Sequence, residues 1–174
     1  GGDGNDIINV GAFTTQLPSL TINGGTGDDQ VNMNGDITFV ANANLDLDLQ
    51  NDDANPGVDV IVLNTDANLN LSGTGEITLK SSKNIETKSG SSLAAVAGNI
   101  LIEANQQTTP TVGSFTGIAH QGTISILGGS GGVGAVTLKG KGGNGADMPQ
   151  VGVLIAGNVT GLVGSLTIEG TGGV

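Results

Sequence analysis

A chain of 174 residues is long enough to bury one core, yet it contains 32 Gly, three Phe, and no Trp, Tyr, Cys or Arg. Glycine is the poorest helix residue after proline and the apolar fraction is 36%, so long helices and low-hydrophobicity disorder are both excluded. The formal charge of −11 excludes nucleic acid and anionic membrane as partners, because such a surface repels both and attracts cations. Eleven of the 16 acids lie in residues 1–66, which hold no lysine; from residue 67 onward five acids meet five lysines. There is no run of 18 apolar residues to insert in a membrane as a helix, and the absence of cysteine leaves no disulfide framework.

The chain opens on GGDGNDIINV, and GGTGDDQVNM follows at residue 24. Gly1, Gly2, Gly4 and Asp6 recur as Gly24, Gly25, Gly27 and Asp29; Asn9 recurs as Asn32, and Ile8 and Val10 as Val31 and Met33. Each stretch fits G-G-x-G-x-D-x-U-x, the calcium-binding nonapeptide of RTX proteins, and so resembles an RTX turn. The resemblance implies a calcium ion held by Asp3, Asp6, Asp28 and Asp29 with the turns at Gly1 and Gly24. Calcium takes six to eight oxygens, and glycine turns point carbonyls as well as carboxylates at one spot. The spacing departs from the RTX pattern, since tandem nonapeptides lie nine residues apart and these lie 23 apart. A second reading stays open: ion-free glycine turns with solvated aspartate caps.

Strand signals then follow in order. SLTIN (19–23), NLDLDL (44–49), VDVIVLN (58–64), NLNLS (68–72), EITLK (76–80) and NILIEA (99–104) are short, aliphatic and separated by Gly, Asn and Ser turns. In 44–49 the leucines face one side and Asp46 and Asp48 the other, so a slip of one residue would bury two carboxylates. The loop NDDANPGVDV (51–60) offers Asp52, Asp53 and Asp59 to the next layer without the motif. Residues 81–97, with Lys83 and Lys88, read as an exposed turn with one short strand. Near the end VTLKGKGG (136–143) aligns with LTIEGTGG (166–173) at an offset of 30.

Periods of about 20–30 residues with constant strand flavour mark a solenoid. The expectation is an all-β, right-handed parallel β-helix of roughly seven turns, in which like residues stack about 4.8 Å apart. Asn9 and Asn32 are candidates for a ladder up one corner. One continuous domain is expected, with acidic turns over 1–66 and Gly-rich turns over 67–174. Because the chain opens in one repeat and closes in another, further repeats or head-to-tail contact are expected at its ends.

Enzyme signals are sparse. Asn64-Thr65-Asp66 and the Asp52-Asp53 pair resemble polygalacturonase elements, but in reversed order and without that family's Arg-bearing and Gly-His-Gly segments. Asn64–Asp66 is better read as a strand exit, and His120, the single histidine, as a surface residue. GGSGGVGAV (128–136) has no following helix or Lys-Ser/Thr pair, so it is a turn. With GGDGND, GGTGDD, VGVLIAGNVTGLVGSLTIEGTGG (151–173) and a looser cousin at 117–143 in view, the chain resembles repeat regions of very large bacterial secreted or surface proteins, adhesin-like and filamentous-haemagglutinin-like. That resemblance implies a non-catalytic, extracellular, calcium-stiffened fibre segment that associates with itself or carries other modules. Two other classes remain: a carbohydrate-active β-helix enzyme of the polyuronide lyase or hydrolase type, and a module binding a glycan or cell-surface receptor through loops 81–97 and 104–117.

Overall fold

The computed structural model describes residues 1–51, 54–55, 57–129, 132–146, 150–161 and 164–173. Among them there are strands and turns and no helix, hence none long and apolar enough to cross a membrane. Seventeen strands form three sheets. The first holds β1 (Ile7–Val10), β3 (Gln30–Met33), β6 (Val60–Leu63), β9 (Asn84–Thr87), β12 (Ile118–His120) and β15 (Val153–Ile155), adjacent in that order. The second holds β4 (Ile37–Thr38), β7 (Asn68–Asn70), β10 (Ser92–Ala95), β13 (Thr123–Ile126) and β16 (Asn158–Thr160). The third holds β2 (Leu20–Asn23), β5 (Leu45–Asp48), β8 (Ile77–Ser81), β11 (Ile100–Ala104), β14 (Val136–Lys141) and β17 (Leu166–Thr171).

Every strand pairing is parallel, and from β3 onward each strand's sheet neighbour lies three elements along the chain. Each passage through the three sheets therefore lays one layer on the last, an arrangement compatible with the coil that the sequence suggests. In the first layer Leu17 bridges Phe39 where later layers place a second-sheet strand. The two deepest sheets have six strands among the described residues, fewer than the seven turns expected. The reason is uneven repeat length. Residue 7 pairs with 30, but 30 pairs with 60, 85 with 118, and 118 with 153. Offsets range from 23 residues, at 7 to 30 and again at 77 to 100, up to 36 at 100 to 136.

Register turns sequence repetition into columns. Leu20, Leu45, Ile77, Ile100, Val136 and Leu166 form one interior line; Ile22, Leu47, Leu79, Ile102, Leu138 and Ile168 form the next. Aliphatic side chains stacked in register fill the narrow interior, and Phe39 is the one aromatic fully buried with them. The offset of 23 is realised as Ile8 on Val31 and Asn9 on Asn32, and the offset of 30 as Val136 on Leu166. Asn32 donates to Asn9 at 2.9 Å, the pair read from the sequence. It sits on the outer face of β1 and β3 and not at a corner, and it ends where Asn32 meets Val62. Asn64 donates to Asn34 at 2.7 Å just beyond β6 and β3.

Residues 81–97 differ from expectation. They hold two strands, β9 and β10, and bury Ile85, Leu93 and Ala95. Their polar letters mislead because Ser81, Ser82, Asn84 and Thr87 are themselves buried, the first two and Thr87 hydrogen-bonded between layers and the Asn84 side chain to Glu86 within its strand. Lys83, Glu86 and Lys88 are the outward set. The last layer is open: Ile168 is 46% exposed where Leu138, directly beneath it, is 0% exposed.

Interior and edge positions should therefore respond differently to the same truncation. Leu79→Ala is expected to lower unfolding free energy by about 2–5 kcal/mol in a urea titration, and Ile168→Ala by under about 1 kcal/mol. Equal losses would mean that the last layer is covered in solution.

Candidate functional site

The glycine–aspartate turns precede β1 and β3, and parallel pairing sets one over the other. Asp3 bridges Thr26, and the Thr26 hydroxyl donates to Asp3 Oδ1 at 3.1 Å. The Asp6 amide donates to Asp29 Oδ1 at 2.8 Å, and the Asp29 amide donates to Asp59 Oδ1 at 2.8 Å. The Asp59 amide donates to Ser82 Oγ at 2.9 Å, and the Ser82 hydroxyl lies 2.7 Å from Asp59 Oδ2. One residue earlier, the Asp28 amide donates to Asn5 Oδ1 and the Val58 amide to Asp28 Oδ1, both at 2.9 Å. Asp6 and Asp29 are thus vertical neighbours, as the repeat implies, and Asp59 extends their column without carrying the motif.

Gly1 and Gly24 act through what they lack. A Cβ on Gly1 would fall 1.8 Å from the Gly24 carbonyl oxygen, and one on Gly24 would fall 2.7 Å from Asp29 Oδ2. Gly27 has φ +115° and its Cβ would meet the Gly4 carbonyl at 2.5 Å, so both conformation and closeness require glycine there.

Whether these residues fit a calcium ion is decided by their oxygens. The carboxylates of Asp3, Asp6, Asp28 and Asp29 each already accept a hydrogen bond from the protein, that of Asp6 from the Gly2 amide at 3.1 Å. Only Asp29 Oδ2, on a side chain of a residue 2% exposed, is buried without a hydrogen-bond partner. Among the described residues no group of three or more acids or histidines is placed to hold a metal. Calcium takes six to eight oxygens; here one oxygen of each of the Asp6, Asp28 and Asp29 carboxylates is already committed to a backbone amide, so the turns are held to one another by hydrogen bonds.

A second constellation is invisible in linear order. At the fourth position of successive third-sheet strands stand Asp48, Lys80, Glu103, Lys139 and Glu169, an alternating column on the outer face. Lys80 lies 3.8 Å from Asp48, and Lys139 3.8 Å from Glu103. These pairs are partly exposed, so each contributes about 0–1 kcal/mol. Gln50, Asn51, Gln106 and Thr108 flank the column and complete an open polar groove of about 670 Å³. Its sequence signal is the fourth letter of the aligned strands LDLD, ITLK, ILIE, VTLK and LTIE, legible only once register is known.

His120 is not a surface residue. It is 1% exposed and occupies an interior column between Thr87 and Ile155. Its Nε2 donates to the Asn158 carbonyl at 3.0 Å, which leaves Nδ1 to accept from the Thr87 hydroxyl at 2.6 Å. Asn64–Asp66 form the exit of β6 and a turn, with Asp66 at φ 65°. The Asp52–Asp53 pair lies outside the described residues. Loop 104–117 is pinned internally, Asn105 Oδ1 accepting from the Thr111 amide at 2.6 Å and from Gln107 Nε2 at 3.0 Å.

Set against known proteins, the chain matches no family model, no curated protein and no solved structure.

Burial lowers the His120 pKa below the ordinary histidine value, against the smaller upward pull of its bond to the Asn158 carbonyl. The fold therefore favours neutral imidazole, while the unfolded chain takes up a proton near pH 6.5. Stability is expected to be full above about pH 6.5 and to fall as pH drops below it. Melting temperature across that range should show the slope in the parent chain and not in His120→Gln. An unchanged slope in the variant would locate the titration elsewhere.

Proposed function

We propose that the chain is a non-catalytic structural segment of an extracellular fibre or adhesin, built as a right-handed parallel β-helix. The observation that carries this reading is the in-register stacking of parallel strands in every sheet, aliphatic on aliphatic along the interior columns of the third. Side chains on the outer strand face and in the turns are engaged in bonds between layers, as in Asn9–Asn32, Asn34–Asn64 and Asp6–Asp29–Asp59. A body made this way resists bending and lengthens by adding layers, which suits a spacer. The open edge of β17, with Leu166 and Ile168 exposed above buried equivalents, supports continuation by a further layer from more chain or from a second copy. Nearly all of the excess negative charge belongs to the first layers, which suits a solvated, non-membrane surface.

A second reading, a glycan-binding face, draws on the polar groove beside the alternating charges. Its long axis follows the stack, so a linear polymer would meet chemically repeated contacts. It lacks an aromatic platform, since none of the three phenylalanines lines it.

Small-angle scattering over a concentration series tests the first reading. The expected result is a rod that lengthens with concentration at constant cross-section, and that stops lengthening in Ile168→Glu. A compact particle, growth in cross-section, or turnover of polyuronide that disappears in Asp66→Asn would contradict it.

A further inference from the structure

We propose that the paired residues closing each glycine-rich turn, Asn5-Asp6 and Asp28-Asp29, are a two-way staple between layers that works without calcium. The first residue of each pair reaches forward: Asn5 Oδ1 accepts the amide of Asp28, and Asp28 Oδ1 accepts that of Val58. The second reaches back: Asp29 Oδ1 accepts the amide of Asp6, and Asp59 Oδ1 accepts that of Asp29. Layers one and two are thereby closed by two reciprocal bonds, and so are layers two and three. These amides lie just before β1, β3 and β6, where the sheet ladder has not yet begun, so their bonds must come from side chains.

The occupants of the equivalent positions reveal what each position requires. The forward place is filled by an amide at Asn5 and a carboxylate at Asp28; the backward place by carboxylates at Asp29 and Asp59 and then by a hydroxyl at Ser82. Amide, carboxylate and hydroxyl share an acceptor oxygen and not a charge. A cation site would need the charge. Asp59 is preceded by Asn-Pro-Gly and not by the G-G-x-G turn, yet it makes the same bond at the same length as Asp29. The staple is therefore a property of the stack position and not of the nonapeptide. The carboxylates supply charge-assisted bonds, stronger than neutral ones, and the unpartnered Asp29 Oδ2 is the cost of that choice.

Asn at position 29 keeps the acceptor and removes the buried unpartnered charge; Ala removes the acceptor and orphans the Asp6 amide. Thermal melts of the parent chain, Asp29→Asn and Asp29→Ala, each in millimolar calcium and in chelator, separate the two chemistries. The expected result is one parent melting temperature in both buffers, an equal or higher one for Asp29→Asn, and a clear drop for Asp29→Ala. A parent chain whose melting temperature climbs with calcium concentration, and an Asp29→Asn variant that loses the climb, would overturn the staple. Should Asp29→Ala not fold, the calcium series on the parent chain still decides. A calcium response would leave the rod reading standing and remove only this inference.

Discussion

Parallel pairing of successive layers is the constraint from which the other features descend. Strands about 4.8 Å apart in register bring residues 23 to 36 positions apart into side-chain contact, so a position's chemistry is repeated, answered or opposed by its vertical neighbour. Aliphatic positions become dry columns in which each side chain packs on one of similar shape. Asparagine positions become amide ladders. Charged positions either alternate, as from Asp48 to Glu169, or stand like on like with amides donated between them, as in Asp6, Asp29 and Asp59. The same spacing explains the glycines, because a turn stacked directly on another turn leaves no volume for a Cβ at Gly1 or Gly27.

Such a body has a core without a centre. Each layer touches only the layers beside it, so stability is a sum of similar interfaces and the end layers are the weak ones. That is why the exposed Leu166 and Ile168 of β17 align with the fully buried Val136 and Leu138 one layer below. Polar residues contribute to the interfaces chiefly by satisfying amides where the sheet ladders are interrupted. His120 illustrates the demand on a polar residue inside a column: both ring nitrogens are bonded, one across to Thr87 and one to the Asn158 carbonyl.

Strand positions were legible wherever the alternation was written in leucine and isoleucine. NLDLDL, EITLK, NILIEA and VTLKGK fall on β5, β8, β11 and β14, all in one sheet. The stacking of Asp6 on Asp29 was legible too, since a whole phrase recurs there. What escaped was written in small polar letters. In 81–97, serine, asparagine and threonine look solvated but serve as buried partners, so β9 and β10 were hidden inside an apparent turn. His120 was misplaced because burial of a lone histidine depends on what stacks above and below it. The charge column was out of reach for a geometric reason: its members are spaced irregularly along the chain, and only the loop lengths between layers bring them into line. The number of layers, six against roughly seven expected, differs because several repeats are longer than the 20–30 residues read from the sequence, reaching 36 between residues 100 and 136.

The vertical adjacency itself is most directly tested by methyl NOE spectroscopy on selectively labelled Leu and Ile. The account predicts contacts linking Leu47 to Leu79, Leu79 to Ile102, and Ile102 to Leu138. Contacts from Leu79 that bypass both Leu47 and Ile102 would contradict it, and the ladders, the staple and the rod would fall together.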